Sequence, residues 1–172
     1  IHKGLTFASG DIVAIQDADL ELDPNDLVQL IQPLIGLKAD VVFGSRFHKS
    51  RFQVHRTYHY FINRFLTLLS NIFSNIYLSD METCYKVMKL DIMSNLDLNA
   101  TRYGIEPEIV AKIAKLNLRI LELPITFNAR SKKQGKKIGW KDGLAAIWYI
   151  LKYNIYPLSE KSKYNLPKKY LK

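Results

Sequence analysis

Four acidic residues alternate with other residue types near the start of the chain: Asp17, Asp19, Glu21 and Asp23. They follow directly on a short apolar run. So much negative charge in one short segment is costly unless a cation or hydrogen-bond donors offset it. Carboxylate oxygens are the ligands that Mg²⁺ and Mn²⁺ prefer in proteins. The segment therefore predicts a site for a hard divalent metal.

Two other interpretations of this acidic segment compete with a metal site. A calcium loop of the EF-hand kind that began at Asp17 would need Gly where Leu22 stands and Glu where Val28 stands. A solvated loop that caps the next helix accounts for Asp23 and Asp26. It does not explain why two carboxylates follow an apolar strand so closely, and we favour the metal.

The charge of the 172-residue chain is unevenly distributed. The net charge is +9, from 25 Lys and Arg against 16 Asp and Glu. Residues 1–40 carry −5, so the rest of the chain carries +14. A basic balance of this size favours a polyanionic partner, which can be a nucleic acid, a phosphorylated substrate or an anionic membrane. The densest bases, in a segment without acids, are Arg130, Lys132, Lys133, Lys136, Lys137 and Lys141.

Two further groups of residues could act on a phosphorylated or hydroxylated acceptor. Arg46 follows a predicted strand, where the carboxyl edge of an α/β sheet opens into a ligand cleft. A guanidinium matches phosphate oxygens, and so Arg46 and Arg56 are predicted to bind an acceptor phosphate, with plain surface arginines as the alternative. Asp80 and Glu82 precede another predicted strand, where a carboxylate could orient or deprotonate an acceptor.

The elements that must position these residues begin with a strand, a helix and a strand. Short β-branched runs predict strands at 11–16 and 39–44. Between them, Asp23 reads as a helix N-cap and Gly36 as the helix end, with a kink at Pro33. Such a unit requires that the two strands pair in parallel through a right-handed crossover. The sequence therefore predicts an α/β domain.

The clearest predicted helix starts at Tyr58, because apolar residues recur there at spacings of three and four along one face. These residues are Phe61, Ile62, Phe65, Leu69, Ile72, Phe73 and Ile76. Later patterns predict an extended segment at 83–88, a helix at 106–116, a strand at 118–123 and a helix at 143–153.

Composition limits the class of protein. With 48% hydrophobic and 24% charged residues, the chain suits one globular domain rather than a disordered or fibrous protein. The longest uncharged run, 65–79, is too short and too polar to span a bilayer, and no transmembrane helix is expected. Cys84 is the only cysteine, which excludes an intramolecular disulfide and favours a reducing compartment. We expect Cys84 to be a buried packing residue, since no local His would activate it.

The ends of the sequence also carry expectations. The chain opens at Ile1, in what reads as the end of a helix that runs into a strand, and we expect that the amino terminus of the domain is missing. We predict one domain over residues 1–153. The Lys-rich residues 154–172 are expected to be a mobile tail with few core residues.

The order of these motifs resembles the family 2 glycosyltransferases with the GT-A fold, and among them the polyprenyl-phosphate synthases of the dolichyl-phosphate mannosyltransferase type. The resemblance is carried by GDIV at 10–13, DADLELDP at 17–24, GSRF at 44–47, DMETCYKV at 80–87, ELPI at 122–125, and Arg130 with GKKI at 135–138. It implies a Rossmann-like, mixed and mostly parallel sheet flanked by helices, which here lacks its first strands.

The resemblance also implies roles for particular residues. Asp17 and Asp19 would hold Mg²⁺ or Mn²⁺ against the diphosphate of a nucleotide sugar, with Asp19 the more direct ligand. Glu21 stands where several relatives carry a Gln that can bind the metal. Arg130 and Lys133 would bind the diphosphate from a loop that closes over it. Asp80 would act as the general base for a hydroxyl acceptor, or would position the site if the acceptor is a phosphate.

The activity that follows is the transfer, with inversion, of a mannose-type or glucose-type sugar from a nucleotide donor to a polyprenyl phosphate in cell-envelope synthesis. The enzyme is expected at the cytoplasmic membrane face, touching anionic lipid through the basic segment and the aromatic helix that bears Trp140, Trp148, Tyr149 and Tyr153. Half of these aromatic residues are expected to lie in the core instead. Transfer to a sugar hydroxyl is the first alternative. A nucleic-acid-binding domain is a distant one, since it leaves the acidic segment unexplained. Without the missing strands, we expect weak donor binding and little turnover.

Overall fold

The computed structural model describes residues 1–47, 57–129 and 140–172. The helices are α1 (His2–Leu5), α2 (Asp26–Ile35), α3 (Thr57–Ser74), α4 (Leu90–Asn95), α5 (Ile105–Ala114), α6 (Trp140–Ile155) and α7 (Glu160–Asn165). The strands are β1 (Ile12–Ile15), β2 (Val41–Ser45), β3 (Lys86–Lys89) and β4 (Ile120–Pro124). Short 3₁₀ turns lie at Arg102–Gly104 and Lys168–Tyr170.

The four described strands form a mixed sheet in the order β1-β3-β2-β4. β3 is antiparallel to both of its neighbours, and β2 is parallel to β4. β1, β2 and β4 therefore share one direction, but β3 separates β1 from β2. The predicted direct pairing of strands 11–16 and 39–44 is wrong, because a strand from much later in the chain takes the place between them. Hydrophobic patterns fix which face of a strand is buried, not which strand lies beside it.

The core lies on both faces of the sheet, as the alternation of side chains along a strand requires. Val42 packs with Leu30 and Leu34 of α2 on one face. Val41 and Phe43 point to the other face, where α3, α4, α5 and α6 supply a larger cluster. The sheet is therefore covered by helices on both sides, and its edge carries the candidate site.

Helix α2 begins and ends close to the predicted limits. The prediction of Asp23 as the N-cap is wrong by two residues, since Asn25 is the N-cap and the helix begins at Asp26. The Asp23 carboxylate instead accepts a hydrogen bond from the backbone N–H of Asn25 at 2.9 Å in the turn before the helix. Gly36 follows its last residue, as predicted. Pro33 lies inside the helix. Val28 on this helix is exposed.

Helix α3 is present where the spacing predicts it, but much of its predicted apolar face is not covered. Ile62 and Leu69 pack against the core, whereas Phe73 is exposed. A stripe at spacings of three and four is between 55% and 66% exposed. We call these residues the α3 stripe: Tyr58, Phe61, Phe65, Leu68 and Ile72. Periodicity identifies an apolar face but does not say what covers it.

Residues 154–172 contribute more to the core than the sequence suggested. Leu158, Leu166 and Tyr170 are buried in the larger cluster. The Ser159 side chain caps α7 by accepting a hydrogen bond from the N–H of Ser162 at 3.1 Å. The expectation that this segment has few core residues is wrong, while the division of the chain at residue 153 remains a prediction. None of the described helices has both the length and the apolar character that a membrane span needs.

Candidate active site

The site residues lie at one edge of the sheet. β1, β2 and β4 end there, and β3 begins there, since it runs the opposite way. The acidic segment follows β1, Arg46 follows β2, and Asp80 lies on the loop that leads into β3. Ligands of open α/β sheets bind at this edge. The predicted placement of Arg46 at the carboxyl edge is confirmed, while its role in binding phosphate stays a prediction.

The acidic segment folds tightly around Asp19. Its Oδ1 atom accepts a hydrogen bond from the N–H of Glu21 at 3.1 Å. Leu20 between them has a φ of 61°, in the left-handed region that costs a non-glycine residue about 1–2 kcal/mol. Glu21 is buried, and its carbonyl accepts from the N–H of Asn128 at 2.7 Å. The segment after β1 is thus tied to the segment after β4.

Arg46 is held in one orientation by Asp80. Its Nε and one terminal nitrogen donate to the two carboxylate oxygens at 2.7 and 2.8 Å, and its backbone N–H donates to the same carboxylate at 3.0 Å. Asp80 is fully buried, and the Arg46 side chain is 14% exposed. The guanidinium also lies over the rings of Phe47 and Phe127, 5.4 and 5.3 Å from their centroids. These contacts fix the orientation of the guanidinium.

This pairing bears on the two roles predicted for Asp80. Both of its oxygens are engaged by Arg46, so the geometry favours the positioning role over the role of general base. Glu122 of β4 holds the same loop by accepting hydrogen bonds from the N–H groups of Ser79 and Asp80 at 2.9–3.0 Å. Asp80 is thus held by Arg46, which follows β2, and by Glu122 of β4.

A buried group of charges lies beside this pair and was not assigned from the sequence. The ammonium of Lys86 is buried and donates to the carbonyls of Met81 and Thr83. Burial lowers the pKa of Lys86, although Glu106 and other nearby acids raise it. Burial, and next the charge of Glu106, raises the pKa of Glu82 to about 7. The only signals in the sequence were a lysine in an apolar strand and a glutamate within an apolar helix.

Cys84 is buried, which confirms its prediction as a packing residue. Burial raises the pKa of its thiol above the usual value, and the charge of Asp17 and a hydrogen bond with it act in the same direction. The thiol therefore stays protonated and is a poor nucleophile. Its contact with Asp17 joins the acidic segment to the loop before β3.

The carboxylates of the acidic segment suit a metal ion whose remaining ligands come from a substrate. Within residues 1–47, 57–129 and 140–172, no three His, Cys, Asp or Glu side chains come together as a metal site. Asp17, Asp19 and Glu21 do not form a closed cage. Mg²⁺ is commonly held by one or two carboxylates together with substrate phosphates. Asp17 and Asp19 at a strand end suit that arrangement, and Glu21 as a third ligand stays a prediction.

The structure brings together part of the predicted site. Arg46 bonds to Asp80. Burial lowers the pKa of the Arg46 guanidinium, but Asp80, then Glu82 and then Glu21 raise it above its usual value. Three predicted residues, Arg56, Arg130 and Lys133, lie outside the described residues. Glu82, Lys86 and Glu106 were missed as a group.

Curated proteins similar to this chain are named as sugar transferases. An undecaprenyl-phosphate mannosyltransferase of Micrococcus luteus is 29% identical over 141 residues, which are 80% of this chain and 57% of that protein. A low-salt glycan biosynthesis hexosyltransferase of Haloferax volcanii is 27% identical over 83% of this chain. A dolichol-phosphate mannosyltransferase of Pyrococcus furiosus is 26% identical over 81% of this chain. The chain spans 35% and 40% of the length of those two relatives.

Solved structures share the fold. Glucosyl-3-phosphoglycerate synthase of Mycobacterium tuberculosis, crystallised with Mn²⁺, uridine diphosphate and phosphoglyceric acid, matches with a TM-score of 0.65 at 17% identity, over 91% of this chain and 53% of that one. Mannosyl-3-phosphoglycerate synthase of Rubrobacter xylanophilus matches with a TM-score of 0.60 at 14% identity, over 89% and 47%. The predicted GT-A fold, with a mixed sheet between helices, is confirmed.

A family model described as glycosyl transferase family 2 matches residues 1–96. This match agrees with the resemblance seen in the sequence motifs. Because it covers more than half of the 172 residues, the chain belongs to glycosyl transferase family 2.

Proposed function

We propose that this chain is the part of a glycosyltransferase that moves a hexose from a nucleotide-diphosphate donor to a lipid phosphate of the polyprenyl type, with inversion at the anomeric carbon. The observation that carries the proposal is the arginine that Asp80 fixes beside the acidic segment. Arg46 can bind an acceptor phosphate while Asp17 and Asp19 face a donor diphosphate. The names of the relatives from Micrococcus luteus and Pyrococcus furiosus support this acceptor class.

Different residues of the site act on the nucleotide-sugar donor and on the acceptor phosphate. Asp17 and Asp19 would hold Mg²⁺ or Mn²⁺, which when bound stabilises the negative charge on a departing diphosphate. Arg46 orients the acceptor phosphate, because its planar donors match phosphate oxygens. Asp80 and Glu122 keep the arginine and its loop in place. Arg56, Arg130 and Lys133 are proposed as further phosphate contacts.

The surface beside the site supports a membrane-borne acceptor. α3 borders the site, since Arg64 donates to the carbonyl of Ser79 at 2.8 Å and Thr67 accepts from the N–H of Met81 at 3.1 Å. The same helix carries the exposed α3 stripe and has no acidic residue. It contacts α6, where Leu144 and Trp148 are exposed. We propose that these faces rest on an anionic lipid surface at the cytoplasmic side of the membrane.

Donor binding tests the acidic segment. Calorimetry with UDP-sugars and GDP-sugars, in the presence and absence of Mn²⁺, should detect metal-dependent binding that Asp19→Asn lowers at least about tenfold. Asp11→Asn is the matched control, since Asp11 is an exposed acid at the other end of β1. Equal donor affinity in the Asp19 variant and the parent chain would contradict the proposed metal site.

Product analysis tests the acceptor. Radiolabelled donor is offered with either a polyprenyl phosphate or an oligosaccharide, and the labelled product is identified. We expect label in the lipid fraction. Label in the oligosaccharide alone would replace the lipid phosphate with a sugar hydroxyl as acceptor. Nucleic-acid binding that weakens steeply with salt and competes with the donor would favour the distant alternative.

A further inference from the structure

Glu82 has a carboxylate oxygen without a partner. Its Oε1 atom is sealed from solvent and makes no hydrogen bond with any described residue. Asp80, two residues earlier, uses both of its oxygens on Arg46. Burial lowers the pKa of the Arg46 guanidinium, but Asp80, and after it the charge of Glu82, raises that pKa above its usual value. A buried carboxylate without a partner is costly, and a proton removes most of that cost.

The groups around Glu82 carry an excess of negative charge. Asp80 and Arg46 neutralise each other in their ion pair. Glu82, Glu106 of α5 and Lys86 of β3 then remain, which is two negative charges against one positive. Asp17 also acts on Glu106, and Glu21 acts on Arg46, so the excess is larger than one charge. Lys86 directs its hydrogen bonds to the carbonyls of Met81 and Thr83. One proton on Glu82 or Glu106 reduces this excess.

The proton on Glu82 also affects how well an anionic ligand can bind to Arg46. A phosphate that approached the guanidinium would be repelled by the ionised Glu82, because both would act on the same arginine in a poorly solvated site. A neutral Glu82 carboxyl removes the repulsion, and its O–H can donate a hydrogen bond to a phosphate oxygen.

We propose that Glu82 controls acceptor binding through its proton: the neutral carboxyl admits an acceptor phosphate to Arg46, and the ionised carboxylate excludes it. This inference rests on the proposed function, since it takes a phosphate as the acceptor. It makes Glu82 a positioning residue that couples acceptor binding to the uptake of one proton. The groups that set its ionisation are Glu106, Lys86, Arg46 and Asp80, and the raised pKa of Glu82, about 7, lies in the range where such a coupling acts.

The sign of the pH dependence follows from this coupling. Below pH 7 Glu82 is mostly neutral, and acceptor affinity is at its maximum. As the pH rises above the pKa of about 7, the carboxylate must first take up a proton, and the dissociation constant should rise toward about tenfold per pH unit. Glu82→Gln keeps the shape of the neutral side chain without titrating. Its acceptor affinity should stay high and show no such dependence.

The test uses the 172-residue chain and a short-chain isoprenyl monophosphate. Calorimetric titrations at pH 6.5, 7.5 and 8.5, each in two buffers with different ionisation enthalpies, give both the dissociation constant and the number of protons taken up. We expect about 0.5–1 proton for the parent chain at pH 7.5 and above. Glu82→Gln should take up close to none beyond the contribution of the phosphate itself. Glu160→Gln, at an exposed glutamate on α7, should behave as the parent chain.

Each outcome separates this inference from the proposed function. Binding with the same pH profile and proton uptake in the parent chain and in Glu82→Gln would overturn the inference while the function stands. No binding of the monophosphate to either protein at any pH would contradict the proposed acceptor itself. If Glu82→Gln does not fold, Glu82→Met supplies a second uncharged side chain, and pH-independent binding by that variant is the expected result.

Discussion

The most constrained residue of the site is Asp80. It is fully buried, and Arg46 supplies its partner through two side-chain hydrogen bonds and one from the backbone. Removing one member of such a pair leaves an uncompensated buried charge, which costs about 3–5 kcal/mol. Arg46→Met should therefore lower the free energy of unfolding, measured in urea, by about that amount.

The double variant separates the charge from the packing. In Arg46→Met combined with Asp80→Asn, no buried charge is left over, and the loss of stability should be clearly smaller than in the single variant. Both proteins should lose affinity for the acceptor phosphate, since both lack the guanidinium. Arg102→Met, at an exposed arginine, is the control. If the single and the double variant were equally stable, Asp80 would not be carrying a charge that depends on Arg46.

Single residues of the site could be predicted where their type alone implies chemistry. The carboxylates after β1 and Arg46 after β2 were found in this way, because acids and arginines at strand ends suggest a charged ligand. The bond between Arg46 and Asp80 could not be predicted, since it joins residues 34 positions apart on loops beside strands whose order was unknown. Glu82 was named with Asp80 as a carboxylate that could act on an acceptor, but its separate environment could not be predicted. Its unsatisfied oxygen is a property of the packing around it.

At the scale of elements, β2 positions the site and depends on one glycine. A Cβ atom added at Gly44 would lie 2.8 Å from Cγ2 of Ile125 and 3.0 Å from Cβ of Tyr85. Both neighbours are buried and cannot move aside freely. Gly44→Ala should lower the free energy of unfolding by about 1–3 kcal/mol, the usual cost of overpacking a core. Because Arg46 lies two residues on, acceptor affinity should fall as well.

Gly143 on α6 gives the matched comparison for this substitution. Apart from its chain neighbours and the backbone of its own helix, no atom of the described residues lies within 4 Å of a Cβ built there, so Gly143→Ala adds helix propensity without a clash. It should raise the free energy of unfolding by roughly 0.5–1 kcal/mol. Urea unfolding of Gly44→Ala and Gly143→Ala measures the two free energies of unfolding. Equal stability would mean that β2 has room beside Gly44.

The elements themselves were largely predictable, but their neighbours were not. α2, α3, β2 and β4 lie close to their predicted positions because hydrophobic periodicity and capping residues act locally. The insertion of β3 between β1 and β2 depends on contacts distant in the sequence. Asp40 shows how those contacts are fixed, since it accepts hydrogen bonds from Arg119 before β4 and from Lys89 at the end of β3. The hydrogen bond with Arg119 is the main cause that lowers the pKa of Asp40 well below its usual value.

On the scale of the whole molecule, helix α3 both contacts the candidate site and carries an exposed apolar surface. One side of this helix holds the loop of residues 78–81 through Arg64, Thr67 and Asn71. Its other side exposes the α3 stripe. A phosphate bound to Arg46 would thus lie in a site that is bordered by the helix that carries this apolar stripe. A lipid phosphate needs both surfaces, because its headgroup is anionic while its chain remains in the bilayer.

Vesicle binding tests this arrangement. Replacing Phe65 and Leu68 together by Gln removes two exposed apolar side chains from the α3 stripe, and each is worth on the order of 1 kcal/mol when partly buried in lipid. We therefore expect the partition onto vesicles that contain anionic lipid to fall at least about tenfold. Val28→Gln, at an equally exposed apolar residue on α2, should leave the partition unchanged, because α2 covers the other face of the sheet. Equal loss in both proteins would mean that the chain binds lipid through its net charge alone, without a preferred face.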